Sequence, residues 1–268
     1  MSCHPLPDRL RVAGRELECR WYPADADRSG GTGPPLVLLH EGLGCVELWR
    51  DTPERLAAAT ARPVLTYSRM SYGRSEAGPL PRGVGYLEEE ADLLAPVLDA
   101  AGLERAVLVG HSDGASIALA ASAADATRER GARRVAGVVA ISPHVTCEPS
   151  NVEAIRAAGA RYQQGELRIR LARYHADVDA AFHTWYDAWT DPAFAAWSIV
   201  DRLAAIAVPV LAVQGDADPY GSADQLALIE AYVDTTTVLE VPGAQHDPHR
   251  EAAELVIPAI ADFVRQLR

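Results

Sequence analysis

The chain has 268 residues, 49% of them hydrophobic, and a formal net charge of −12. That length suits one α/β domain, or one domain carrying an insertion, and the acidic balance disfavours nucleic acid and anionic membrane surfaces as partners. All 25 of its Lys+Arg positions are arginine, so Schiff-base chemistry on a lysine is excluded.

Cys3, Cys19, Cys45 and Cys147 are scattered without paired spacing, which argues against a zinc site and a disulfide framework. No apolar run approaches the length of a membrane span. Residues 1–7 lack the basic start and apolar centre of a signal peptide. The expected location is cytoplasmic.

In chain order, residues 10–13 and 17–22 predict an opening hairpin that turns at Gly14. Residues 25–35 are a polar, Gly/Pro-rich loop. The apolar run over 36–40 predicts a strand buried on both faces. A helix is expected over 49–61 with Pro53 in its first turn. A strand over 64–67 and a helix over 86–101, ending at Gly102, come next. The apolar run at 107–109 then enters Gly110-His111-Ser112-Asp113-Gly114, and the small residues 115–121 predict a helix. Further strands are expected over 135–142, 208–214 and 236–241, and an amphipathic helix over 252–268. Strands alternating with helices imply an α/β, doubly wound, mostly parallel sheet of eight strands with helices on both faces.

Between Pro143 and Ile206 the alternation fails. This interval is helical in pattern and holds eight aromatic residues of the chain's Trp 5, Tyr 9 and Phe 3. It predicts a helical lid over 144–206, with the core formed by 1–143 and 207–268. Most of its aromatic side chains are expected to pack the lid onto the core, and the rest to line a pocket.

Ser112 carries the chemistry. A strand that turns sharply into a helix holds the side chain at the turn away from the sheet, beside a free backbone N–H. Gly110 and Gly114 leave room for that turn, where a Cβ would crowd adjacent backbone. A bland βα turn with a serine N-cap is the alternative. A serine hydroxyl needs a base, and the base needs an orienting acid. After the strand at 208–214 come Asp216 and Asp218; Asp218 has room to swing into a cleft, while Asp216 sits in the turn and caps backbone N–H groups. After the last strand comes His246, preferred over His249, which is expected to be solvated or capping. His144 is the reserve base, and His111 is expected to point away across the turn. His246, Asp247 and His249 lack helical spacing and a third ligand for a metal, so none is expected. The oxyanion requires two donors: the Asp113 N–H, directly after the nucleophile, and one from Glu41-Gly42-Leu43-Gly44. Gly42 is the first choice there, then Leu43.

Together these residues resemble the α/β-hydrolase superfamily over nearly the whole chain. His40, Glu41 and Gly42 match its oxyanion loop, with Glu41 where a glycine is usual. The stretch from Tyr67 to Ser75 looks like the loop after its fourth strand, with Ser71 in place of a common glycine. Gly110 to Gly114 matches its nucleophile elbow. Asp218 and His246 stand where its acid and base are found, and the interval after Ser142 is placed like its cap domain. The resemblance implies cofactor-free hydrolysis of a carboxylic ester, thioester or activated amide through an acyl-serine, on a small-molecule acyl substrate. Serine rather than aspartate at the elbow argues against dehalogenase and epoxide hydrolase chemistry. A C–C bond hydrolase, a perhydrolase or haloperoxidase, and a non-catalytic ligand receptor share the same fold and residues. A nucleotide-binding protein would need phosphate donors that are missing here. The oligomeric state is not legible. If either carboxylate of Asp113 or Glu41 faces the cleft, a cationic or amino-bearing substrate is favoured; otherwise Asp113 caps its helix.

Overall fold

A computed structural model describes residues 8–24 and 33–267. Most of the predicted loop, residues 25–32, lies outside the described residues, as do 1–7. Strands β1 (Arg9–Val12) and β2 (Arg15–Tyr22) form the expected hairpin around Gly14. They are followed by β3 (Leu36–Leu39), α1 (Thr52–Thr60), β4 (Val64–Tyr67), α2 (Tyr86–Asp92), α3 (Leu94–Ala100) and β5 (Ala106–His111). Then come α4 (Asp113–Asp125), β6 (Val135–Ile141), and the helices α5 (Pro149–Gln163), α6 (Glu166–Leu171), α7 (Val178–Thr190) and α8 (Val200–Leu203). The chain ends with β7 (Val210–Gly215), α9 (Ala223–Tyr232), β8 (Thr236–Val241), α10 (Pro248–Glu251) and α11 (Ala253–Gln266).

The eight strands make one sheet in the order β1-β2-β4-β3-β5-β6-β7-β8, parallel from β4 to β8. Strand alternation divides the core. Leu36, Leu38, Val107, Val109 and Val139 pack towards α1 and α11 on one face. Val37, Leu39, Leu108 and Val138 pack towards α2, α3 and α4 on the other. Both faces are covered, which is why β3 to β7 read as unbroken apolar runs.

Two predicted helices are cut short. The helix expected over 49–61 begins at Thr52, and Val46–Trp49 is a separate 3-10 turn. The helix expected over 86–101 breaks at Leu93 into α2 and α3. Pro96 supplies the reason: it has no N–H for the carbonyl of Asp92, and its ring would strike that carbonyl. Between β6 and β7 lie α5 to α8 and no strand, only an isolated bridge from Thr146 to Ser198. That bridge joins the segment just after β6 to the segment just before α8. No helix among the described residues is long and apolar enough to cross a membrane.

Candidate active site

Ser112 stands between the end of β5 and the start of α4 with φ 53°, a region that L side chains rarely adopt. The two flanking glycines make the turn sterically possible. A Cβ on Gly110 would overlap the backbone of Gly114 and Ala115, and one on Gly114 would overlap the carbonyl of Leu39. The Ser112 side chain lines a cavity of about 450 Å³ at the C-terminal edge of the sheet, and its hydroxyl makes no hydrogen bond among the described residues.

His246 lines the same cavity. Its Nδ1–H donates to both carboxylate oxygens of Asp218, at 2.9 Å each. A carboxylate only accepts, so this pairing fixes the tautomer and leaves Nε2 as the basic nitrogen. The Asp218 side chain is 1% exposed. Burial pushes its carboxyl up, but the His246 ring and the Tyr220 N–H outweigh that and hold it below the ordinary value. Asp216 instead accepts the N–H of Gly243 at 2.7 Å, as its position in the turn predicts. Gly215 lets the two loops touch, because a Cβ there would overlap the carbonyls of Ala244 and Gln245. The structure thus pairs Asp218 with His246 directly and brings Ser112 to the same cavity, without a Ser112–His246 hydrogen bond.

The carbonyl of His246 is clamped from behind by Ser142 Oγ at 3.0 Å and His111 Nε2 at 2.8 Å. His111 therefore does not point away across the turn. Its ring lies 5.2 Å from that of His246, with Glu41 3.6 Å from its Nδ1 and Asp247 3.6 Å from its Nε2. Burial lowers the His111 pKa, but the Glu41 and Asp247 carboxylates and the His246 carbonyl together outweigh it and the ring is shifted up. The third ligand-type group beside Asp247 and His249 is this same His111, with ligand atoms within 4.8 Å of one another. The sequence pattern had left that cluster one member short. His111 Nε2 is already committed to the His246 carbonyl, so the arrangement serves as a brace for His246.

His249 is neither solvated nor capping: it is 2% exposed and packs its ring on Trp49 at 5.4 Å and His111 at 4.7 Å. Pro248 starts α10 and turns the next side chain back into the core, a tertiary outcome with no local signature. His249→Ala is accordingly expected to keep most activity yet lose on the order of 2–4 kcal/mol of stability, as for other large buried side chains, read by urea denaturation. The reserve base, His144, also lines the cavity, but burial and the neighbouring His246 push its ring down to about 3. It is a neutral wall group.

The backbone of the β3 loop is oriented by a residue that sequence reasoning missed. Arg69, 1% exposed, donates to the carbonyls of His40 and Glu41. His40 Nδ1 also binds the Glu41 carbonyl, at 2.7 Å. In a trans peptide the C=O and N–H point in opposite directions. Holding the Glu41 carbonyl inward therefore aims the Gly42 N–H outward, and Gly42 lines the cavity. A Cβ on Gly42 would overlap the Trp185 ring. The Asp113 N–H opens α4 and has no intrahelical acceptor. Ser71, where a glycine is common, sits at φ 72° and accepts the Gly78 N–H at 2.9 Å.

The Asp113 carboxylate faces neither the cleft nor the backbone of its own helix. It is 1% exposed, accepts from Tyr86 Oη and from Trp189 Nε1 at 3.2 Å, and lies 4.0 Å from Arg69. Glu41 lies 3.6 Å from His111 but lines the cavity with its side chain 30% exposed. Only the Asp113 half of the conditional expectation of a cationic or amino-bearing substrate is therefore corrected: its carboxylate is taken up by the donors of Tyr86 and Trp189. Those two residues are the second omission, and they tie α7 to the core. Of the aromatic side chains between β6 and β7, Trp185 and Trp189 line the cavity, whereas Tyr162, Phe182 and Tyr186, and Phe194 and Trp197, stack among themselves.

A strained serine at a strand–helix turn and an Asp-paired histidine at one edge of a parallel sheet are features of the hydrolase class of α/β proteins. Comparison with known proteins agrees. A profile described as "Alpha/beta hydrolase family" matches residues 36–259, and the chain belongs to that family. It is 34% identical over 115 residues to the dihydrolipoyllysine-residue acetyltransferase component of the acetoin cleaving system of Pseudomonas putida, covering 43% of this chain and 28% of that protein. It is 31% identical over 120 residues to haloalkane dehalogenase 2 of Mycobacterium tuberculosis, covering 43% of this chain and 40% of that protein. The chain thus spans less than half the length of these curated relatives. Among solved structures, E-2-(acetamidomethylene)succinate hydrolase superposes with a TM-score of 0.73 at 21% identity, over 96% of this chain and 97% of that one. That likeness concerns the fold.

Proposed function

We propose that the protein is a serine hydrolase that cleaves a carboxylic ester through an acyl-serine intermediate. The observation that carries this reading is the Asp218–His246 pair facing, across one cavity, an unbonded serine hydroxyl on a strained turn. Ser112 Oγ attacks the ester carbonyl while His246 Nε2 takes its proton. The oxyanion is held by the N–H groups of Gly42 and Asp113. His246 then protonates the leaving alcohol, and next draws a proton from water to release the acid. Asp218 keeps Nδ1 protonated and stabilises the imidazolium. Hydrogen bonds between a nucleophile and its base commonly tighten on substrate binding.

In this reading α5 to α8 form a cap whose Trp185 and Trp189 roof the acyl pocket. A serine nucleophile sets the protein apart in chemistry from its dehalogenase relative. A cytoplasmic location fits Cys45 and Cys147, which form no disulfide among the described residues. A panel of p-nitrophenyl esters of graded acyl length, with an amino-acyl ester included, tests the proposal. Turnover of at least one ester with a single length optimum is expected, and the amino-acyl ester should gain nothing over its neutral match. No turnover across the panel would contradict it.

A further inference from the structure

The lining of the cavity divides by chemistry. Ser112, His246 and Gly42 form its floor, and Ile155, Ala158 and Leu167 are apolar wall. On α5, Ala158 and Arg161 are three residues apart, as are Leu167 and Arg170 on α6, so each helix turns an apolar residue and then an arginine to the same face. Arg161 and Arg170 both line the cavity and are exposed, which puts them at its mouth.

The charges around this cavity are not balanced. Its acids are all occupied: Glu41 lies against His111, Asp247 against His111 and Arg250, Glu251 accepts the N–H groups of Gln245 and Asp247, and the Asp113 carboxylate is held by Tyr86 and Trp189. Neither Arg161 nor Arg170 has a hydrogen bond or ion pair through its guanidinium among the described residues. Their neighbour Arg168, on another face of α6, is paired with Asp179 at 2.6 Å. In a chain with Asp+Glu 37 against Lys+Arg 25, acidic partners are plentiful, yet the two arginines over the active-site mouth have none. A guanidinium presents a planar fork that matches a carboxylate.

We infer that Arg161 and Arg170 form an anion subsite, and that the preferred substrate is an ester whose acyl chain ends in a carboxylate. The carbonyl sits over Ser112, the methylene chain lies along Ile155, Ala158 and Leu167, and the distal carboxylate meets the two guanidinium groups. The inference rests on the ester-hydrolase reading.

The test compares p-nitrophenyl hydrogen adipate with its methyl-capped diester. Hydrogen bonds to a charged group imply a kcat/KM preference for the anion of about tenfold or more, shrinking at high salt. In the Arg161→Gln/Arg170→Gln double variant, KM for the anionic ester should rise and the preference should fall to near one. Arg161→Lys/Arg170→Lys should recover part of it. Hydrolysis of both esters without preference, or a preference that survives the double glutamine variant, overturns the subsite and leaves the hydrolase intact. Binding separates the two claims further. By calorimetry, Ser112→Ala should bind monomethyl adipate more tightly than dimethyl adipate, and the added glutamine substitutions should erase the difference. Equal binding of both compounds overturns the subsite whatever the turnover.

Discussion

Ser112→Ala should lower ester turnover on the order of 10⁴-fold or more while the melting temperature stays close to that of the parent. The size follows from what is removed. Without Oγ no acyl-enzyme forms, and only substrate binding and the two N–H donors of Gly42 and Asp113 remain to favour attack by water. The small stability effect follows from the site. Ser112 makes no side-chain hydrogen bond, so alanine leaves no donor or acceptor unpaired. Its φ of 53° is equally unfavourable for alanine, so the strain at the turn neither rises nor falls. Ser112→Ala/His246→Ala should be no slower than either single variant, since the hydroxyl and its base act as one unit. Steady-state kinetics with the best p-nitrophenyl ester, beside a thermal melt, measures all three; additive losses in the double variant would separate His246 from Ser112.

Asp218→Asn is expected to cost about 10⁴-fold in kcat, although the substitution is isosteric. The carboxylate accepts the Nδ1–H of His246 through both oxygens. An amide can turn its NH2 towards the ring, which moves the proton to Nε2 and removes the base. It also cannot stabilise the imidazolium. The same variant reports on stability. The folded Asp218 carboxyl is shifted below its ordinary value, so its contribution is complete above the unfolded pKa of about 3.9 and is lost as pH falls through the lower folded value. The stability gap between parent and Asp218→Asn should therefore be largest near neutral pH and close on acidification below about pH 4. A gap that widens with acid would show the carboxyl to be raised by burial instead.

The features legible in the sequence are those set by local sterics and strand periodicity. The hairpin at Gly14, the buried runs of β3 to β7 and the turn between Gly110 and Gly114 each depend on a few adjacent residues. So does the helix break at Leu93, for which Pro96 was the available and unread signal. Contacts between distant segments were not legible. Arg69 reaches the His40 and Glu41 carbonyls across the sheet edge, Tyr86 and Trp189 meet over Asp113, and His249 is drawn under Trp49. No periodicity or spacing encodes those meetings. They decide which acids are occupied, and they leave the identity of Ser112, Asp218 and His246 as candidates unchanged.

In the proposed mechanism the histidine–aspartate pair makes one serine hydroxyl nucleophilic. A fluorophosphonate probe followed by peptide mass spectrometry measures that directly. A single adduct is expected on Ser112 in the parent protein, and the rate of labelling should collapse in His246→Ala. An intact, folded parent protein that takes no adduct at Ser112, or labelling as fast in His246→Ala as in the parent, would rule out a serine activated by His246.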